Sequence, residues 1–132
     1  EIKSIAKRAA EVNRTISVLL EVNTSGEASK FGFPIQARED FIDAAKKIFA
    51  LPHVNVAGLM TIAPIAQRPD DARPRSAFSA LRILRDELQA RHATRDHPLP
   101  HLSMGMTDDF ETAIAEGATM VRIGRAIFGR RI

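Results

Sequence analysis

Apolar positions along the chain alternate between two spacings. Helical spacing comes first, with Ile2, Ile5, Ala9 and Val12 on one face over residues 1–12. Residues 17–23, Ser-Val-Leu-Leu-Glu-Val-Asn, then read as a strand. Period-two geometry puts Val18, Leu20 and Val22 on one face and Leu19, Glu21 and Asn23 on the other. A carboxylate and an amide on one strand face must meet water or find partners. The polar, glycine-bearing loop over 23–34 leaves the C-terminal end of that strand, where α/β proteins place function. A helix follows over 37–50, with Phe41, Ala44, Ala45, Ile48 and Phe49 as its buried stripe, ended by Leu51-Pro52.

The next strand covers 54–62, and Gly58 inside it implies close approach of a backbone or ligand. After a loop over 63–71, Pro74 suits a first helical position. That helix carries Phe78, Leu81, Leu84 and Leu88 inward and Arg82, Arg85, Glu87 and Arg91 outward. Past a loop over 92–100, the stretch 101–129 predicts strand, turn, helix, strand and turn. Its first turn is Ser103-Met104-Gly105-Met106. The helix is expected to open on Thr107-Asp108-Asp109, with Asp108 and Glu111 as a capping box, Phe110 and Ile114 buried, and Gly117 just past its end. Residues 120–124 are the last strand, and Gly124-Arg125 begins a helical turn. Alternating helices and strands argue for a parallel sheet with helices packed outside it, in the α/β class. Four such strands make half a barrel or a small open sheet.

Composition narrows this. The 132 residues, 45% of them apolar, allow one domain with a real core. They fall short of the roughly 250 residues of a closed (β/α)8 barrel. The chain starts at Glu1 within a helical pattern, which suggests a piece of something longer. Net charge is +3 and dispersed, which argues against a nucleic-acid partner. With no cysteine there is no disulfide framework or thiolate chemistry. No apolar run approaches the roughly 18 residues of a membrane span, so a cytoplasmic location is expected.

The basic residues cluster late, at Arg122, Arg125, Arg130 and Arg131, the last two reading as a solvated tail. Met120, Arg122 and Gly124 share a strand face. If Thr119, Val121 and Ile123 pack on helices, Arg122 points to the sheet's other face. A guanidinium there needs an acceptor. Glu21, Asn23 or a ligand could each supply one. Arg125 at the start of a helical turn opposes the helix dipole unless an anion binds there. In (β/α)8 barrels the loops after strands seven and eight commonly form a phosphate site, and the turns at Ser103–Gly105 and Gly124-Arg125 occupy corresponding places. Asp108 and Asp109 read as capping acids and Met60 and Met104 as core. The scattered histidines lack metal-binding spacing, so no metal site is expected. No nucleophile elbow, Walker A loop or dinucleotide fingerprint occurs.

Four stretches carry a resemblance: VNTSGEASKFGF (22–33), GLMTIAP (58–64), LSMGMTDDF (102–110) and VRIGRAIFG (121–129). In this order they resemble the pyridoxal phosphate (PLP) homeostasis proteins, which share their barrel with the N-terminal domain of alanine racemase. The resemblance implies that residues 1–132 are the C-terminal half, the last four βα units, of a PLP-binding (β/α)8 TIM-type barrel. The upstream half, with the Schiff-base lysine, would then be absent; neither Lys3 nor Lys30 sits in that motif. It implies that Ser103, Met104, Gly105, Gly124 and Arg125 surround the cofactor's phosphate, that Arg122 faces its ring, that Met60 lies near the ring and that Lys30 lies near the mouth. Many relatives carry Ser or Thr in place of Arg125, so here a guanidinium would replace a hydroxyl by charge.

A cation beside the pyridine nitrogen disfavours its protonation and makes the ring a poor electron sink. The implied function is therefore a PLP carrier in intracellular PLP homeostasis, with no established reaction and no catalytic residue in this chain, handing the cofactor to PLP-requiring apoenzymes. The parent is expected to be a monomer or weak dimer, and the isolated chain to self-associate through its open sheet edges or to bind the cofactor only feebly. The alternative is an alanine-racemase-like amino-acid racemase, which would need an acid/base tyrosine from another domain, since this chain has no Tyr.

Overall fold

The structure, a computed structural model, describes residues 1–27 and 30–131; Ala28 and Ser29 of the predicted loop, and Ile132, lie outside the described residues. In chain order the elements are α1 (Ile2–Glu11), β1 (Ile16–Asn23), β2 (Phe33–Pro34), α2 (Arg38–Phe49), β3 (Val54–Met60), α3 (Arg73–His92), β4 (His101–Ser103), α4 (Phe110–Ala115) and α5 (Arg125–Phe128). Every strand pair is parallel and the sheet order is β2-β1-β3-β4. The three longer strands are neighbours in chain order, so each crossover moves the chain the same way across the sheet. Right-handed crossovers of that kind place the helices on one face and leave the other free. This is the winding of a barrel wall.

The core lies between that helical layer and the sheet. Register aligns Leu20, Leu59 and Leu102 across β1, β3 and β4, and all three are buried with Phe41, Ile42, Phe78, Leu81, Leu84 and Leu88 from α2 and α3. Between Val18 and Leu19 the register slips by one, because Ala57 of β3 is an extra residue. Such a bulge re-aims the strand beyond it. Gly58 follows directly, and a Cβ there would stand 1.9 Å from the His101 carbonyl oxygen. The close approach read from this glycine is therefore to the β4 backbone.

His97, from the loop before β4, is buried under the sheet. Its Nδ1 accepts the Val56 N–H at 2.9 Å, so Nε2 carries the proton and donates to the Phe49 carbonyl at 2.9 Å. The ring stacks on Phe49 with centroids 4.6 Å apart. Glu116, at the end of α4, accepts from Arg75 (2.7 Å) and Arg82 (3.2 Å), tying α4 to α3.

Several expectations are corrected. On α1 the buried residues are Ala6 and Ala9, Ile2 is half-buried against the core, and Ile5 and Val12 are exposed. Ile42 joins the α2 stripe, and Ala44 and Phe49 are only half-buried. The loop over 23–34 ends in β2, a short parallel extension of β1. β3 stops at Met60. Residues 107–109 form a turn, α4 begins at Phe110, and the capping box is replaced by Asp109 Oδ1 accepting the Met106 N–H at 2.8 Å. Ala113 is buried on α4, while Phe110 is only half-buried and Ile114 is exposed. The expected strand over 120–124 is reduced to one bridge, Met120 to Ser103, because the chain turns at Gly105 (φ +101°) and carries its partner out of line. A Cβ at Gly105 would lie 2.7 Å from that of Ala113, so the turn needs glycine.

A candidate anion-binding cleft

The site is built on the sheet face that the helices leave free. Register aligns Glu21, Met60, Ser103 and Met120 in one row across it. Arg122 lies two residues beyond Met120 on the same face. Its backbone N–H donates to the Gly105 carbonyl (2.9 Å), which ties the last segment to the turn after β4. Its guanidinium donates to Ser103 Oγ at 2.6 Å and to the Thr61 carbonyl at 2.9 Å. Both acceptors are neutral. Glu21 and Asp109 act on Arg122 only through space, and among the described residues it forms no ion pair. Burial pushes the Arg122 pKa down from its ordinary value, while the fields of Glu21 and then Asp109 oppose that. An arginine stays charged under any such shift. The site therefore holds a fixed cation whose charge no neighbouring carboxylate directly cancels.

Thr61 fixes the strand that holds Arg122. Its N–H donates to the Ser103 carbonyl (3.1 Å) and its hydroxyl to the Val22 carbonyl (2.7 Å), while Thr24 Oγ1 lies 2.8 Å from that hydroxyl. Asn23 is not available to Arg122. Its amide donates to the Glu27 carbonyl and accepts from Ser25, folding the loop after β1 onto itself.

Above Arg122, two short segments face each other. Residues 106–109 follow β4 and residues 124–126 follow Arg122. They are clasped twice, by the Arg125–Asp108 ion pair and by the Ala126 N–H donating to Thr107 Oγ1 at 3.3 Å. Among the described residues no acceptor meets the backbone N–H groups of Thr107, Asp108, Gly124 or Arg125. A Cβ at Gly124 would meet nothing, so the backbone there is open to close approach.

These parts wall a cleft of about 510 Å³. Arg122, Gly124, Arg125 and residues 106–109 form one side, Ile62, Ala63, Ile65 and Ala66 the other, with Lys30 at the edge. Three cations against two carboxylates, with free N–H groups, suit an anionic head, and the alanine and isoleucine wall suits an apolar body. That is the usual balance of a small-molecule site. A hollow of similar size at the β1–β2 edge, lined by Glu1, Glu21, Phe31 and Phe33, has no lysine or arginine on its wall among the described residues.

The wall after β3 is held by Asp71. Its carboxylate accepts from Arg73 Nε (3.0 Å), Arg73 Nη2 (2.7 Å), the Arg73 N–H (3.0 Å) and the Gln67 N–H (3.0 Å). The Arg73 side chain, then the two backbone donors, hold its pKa well below the usual carboxylate range.

The residues singled out from sequence divide in two. Arg122, Gly124 and Arg125 line the cleft. Ser103 and Met104 are buried and lie behind it, with Ser103 holding Arg122 and the Met104 N–H donating to the Met120 carbonyl. Gly105 is the corner between them, and Met60 is half-buried in the row below. The Thr61 carbonyl and the wall from Ile62 to Ala66 were not anticipated. The signals present were that Ala63-Pro64 leaves a strand's C-terminal end, where such walls form, and that GLMTIAP (58–64) is one of the stretches of the resemblance. Among the described residues no group of three histidines or acids could hold a metal ion, and no helix is long and apolar enough to cross a membrane.

The family model for "Alanine racemase, N-terminal domain" matches residues 1–131. The Pyridoxal phosphate homeostasis protein of Aquifex aeolicus is 48% identical over 127 residues, covering 96% of this chain and 52% of its own length. PipY of Synechococcus elongatus, solved with PLP bound, superposes with a TM-score of 0.77 at 30% identity, over 95% of this chain and 54% of PipY. An alanine racemase from Clostridium difficile, in complex with cycloserine, shares the fold at a TM-score of 0.77 and 13% identity, over 98% of this chain and 34% of the racemase. The chain spans about half the length of the curated relatives it matches.

Proposed function

The chain belongs to the alanine racemase N-terminal domain family, and from that premise we propose that it supplies the phosphate- and ring-facing part of a pyridoxal 5′-phosphate site in a carrier that holds this cofactor for others. On this reading residues 1–132 are the last four βα units of the barrel, and the lysine that takes the aldehyde belongs to the other half. The observation that carries the reading is Arg122, a cation held on the free sheet face by a hydroxyl and a carbonyl rather than by a carboxylate.

When bound, pyridoxal phosphate supplies a reactive aldehyde and a ring able to accept electrons once its nitrogen is protonated. Arg122 works against that protonation, because a permanent cation nearby raises the energy of a second positive charge. Gly124 lets the backbone come close to the phosphate, and the N–H groups of Gly124 and Arg125 with the Arg125 guanidinium hold it. Ser103, Met104 and Gly105 fix the corner that aims Arg122, and Met60 lies in the row beside it. Residues so arranged grip and orient a cofactor without equipping it for amino-acid chemistry. We extend the proposal to PLP-requiring apoenzymes as recipients, in the cytoplasm.

Equilibrium dialysis of the protein that contains this chain against pyridoxal phosphate and pyridoxal tests the site. The phosphorylated form should bind at least about tenfold tighter, since hydrogen bonds to a charged group contribute about 1.5–3 kcal/mol each. Arg122→Leu should weaken both ligands. Equal binding of the two ligands, or an indifferent Arg122→Leu, would overturn the assignment. Racemisation of alanine by the protein that contains this chain would favour the racemase alternative instead.

A further inference from the structure

We propose that Asp108 is a built-in competitor for the ligand's phosphate, holding Arg125 when the anion is away and releasing it when the anion arrives. The inference rests on the phosphate reading above and adds to it the group that sets the strength of the grip.

The cleft's two arginines differ in how they are held. Arg122 is committed to Ser103 Oγ of β4 and to the carbonyl of Thr61, just past the end of β3. The Arg125 side chain is exposed and, among the described residues, bound only to Asp108, itself exposed, on the facing segment. Of the two carboxylates on the cleft wall, Asp109 is occupied, since its Oδ1 accepts the Met106 N–H and helps form the turn before α4. The Asp108 carboxylate has Arg125 as its one side-chain partner among the described residues. An exposed ion pair is weak, because water and salt screen it and two long side chains must be ordered to make it. A phosphate dianion offers the same guanidinium more charge and a two-point contact. Arg125 therefore changes partners on binding, and every binding event must displace Asp108. The Thr107–Ala126 contact keeps the two segments together while this happens. A carrier gains from such an arrangement, since a phosphate gripped without opposition would be released slowly.

The test is a four-way titration of the ¹⁵N-labelled protein that contains this chain with inorganic phosphate and, separately, with pyridoxal phosphate at about 0.15 M salt, where screening limits long-range repulsion. Wild type, Asp108→Asn, Arg125→Ala and the double variant are compared through the amide signals of Thr107 and Gly124. Both side chains are exposed, so the rest of each spectrum should stay in place and report intact folding. Asp108→Asn should tighten binding about fivefold and Arg125→Ala weaken it by about as much, a scale set by exposed charge pairs. In the Arg125→Ala background, Asp108→Asn should change affinity by less than about twofold, since the two residues act as one unit. An Asp108→Asn variant that binds no tighter overturns the exchange while leaving the site assignment standing. A gain that persists without Arg125 overturns it as well, reducing Asp108 to plain repulsion. Absence of binding in all four proteins removes the phosphate site and the exchange together.

Discussion

An added Cβ at Gly58 would stand 1.9 Å from the carbonyl oxygen of His101, so β3 and β4 pass at a distance no side chain permits. Gly58→Ala is expected to cost about 3 kcal/mol, the upper range for overpacking, measured as a drop in the urea midpoint. An unchanged midpoint would show that the strands can part there. His97 makes a second prediction. Removing its ring leaves the Val56 N–H and the Phe49 carbonyl buried without partners, so His97→Ala should lose about 3 kcal/mol by the same measurement. At this scale the sequence was partly legible. The tight approach at Gly58 followed from its lacking a side chain. The direction expected of Arg122 rests on a strand that does not form and on helix packing of Thr119 and Val121, which are exposed; its bonds to Ser103 and Thr61 set that direction instead. The partners of Arg122 did not follow. Glu21 and Asn23 share its face, yet the Thr61 carbonyl and Ser103 hydroxyl reach it instead, because Asn23 is turned into its own loop. Which acceptor lies nearest depends on sub-ångström register between segments sixty residues apart, and side-chain periodicity does not encode that.

Elements carry the pH dependence. Asp71 pins the segment between β3 and α3 that forms the apolar wall of the cleft, accepting from the Gln67 and Arg73 N–H groups and the Arg73 side chain. Its pKa is lowered by folding, so its contribution is present above the unfolded carboxylate range and is lost as pH falls through the depressed folded value. Amide exchange at Gln67 and Arg73 should therefore stay protected down through the range where ordinary carboxylates titrate. In Asp71→Asn that protection should already be weakened at neutral pH. Early loss in wild type, or unchanged protection in the variant, would contradict this. Helices and long strands were legible because their periodicity repeats over several turns or pleats. The start of α4 and the expected strand over 120–124 were not. At residues 107–109 a single Asp109 side-chain bond moves the start of α4. At 120–124 the Gly105 corner leaves only one bridge where alternation predicts a strand.

For the whole molecule, the parallel topology was legible because strands and helices alternate, and the sheet order follows the chain as a barrel wall does. Closure was not, since it depends on what meets the two sheet edges. β2 pairs with β1 only at Val22 and Asn23, leaving the rest of that β1 edge without a partner strand among the described residues. At the opposite side the Met120 segment adds a single bridge, and Met120, Val121, Ile127 and Phe128 are exposed. Unpaired edges beside exposed apolar side chains promote association. Sedimentation velocity of the isolated chain should show dimers or larger species that grow with concentration; a monomer at all concentrations would show the edges to be protected.

If Arg122 and the two clasped segments above it form one half of a pyridoxal phosphate site, crystals of the protein that contains this chain, grown with pyridoxal phosphate, will show it. The phosphate should lie within hydrogen-bonding distance of the Gly124 and Arg125 N–H groups, with the ring on the free sheet face beside Arg122. A cofactor seated anywhere else, with Arg122 turned to Glu21 or out among the helices, would contradict it.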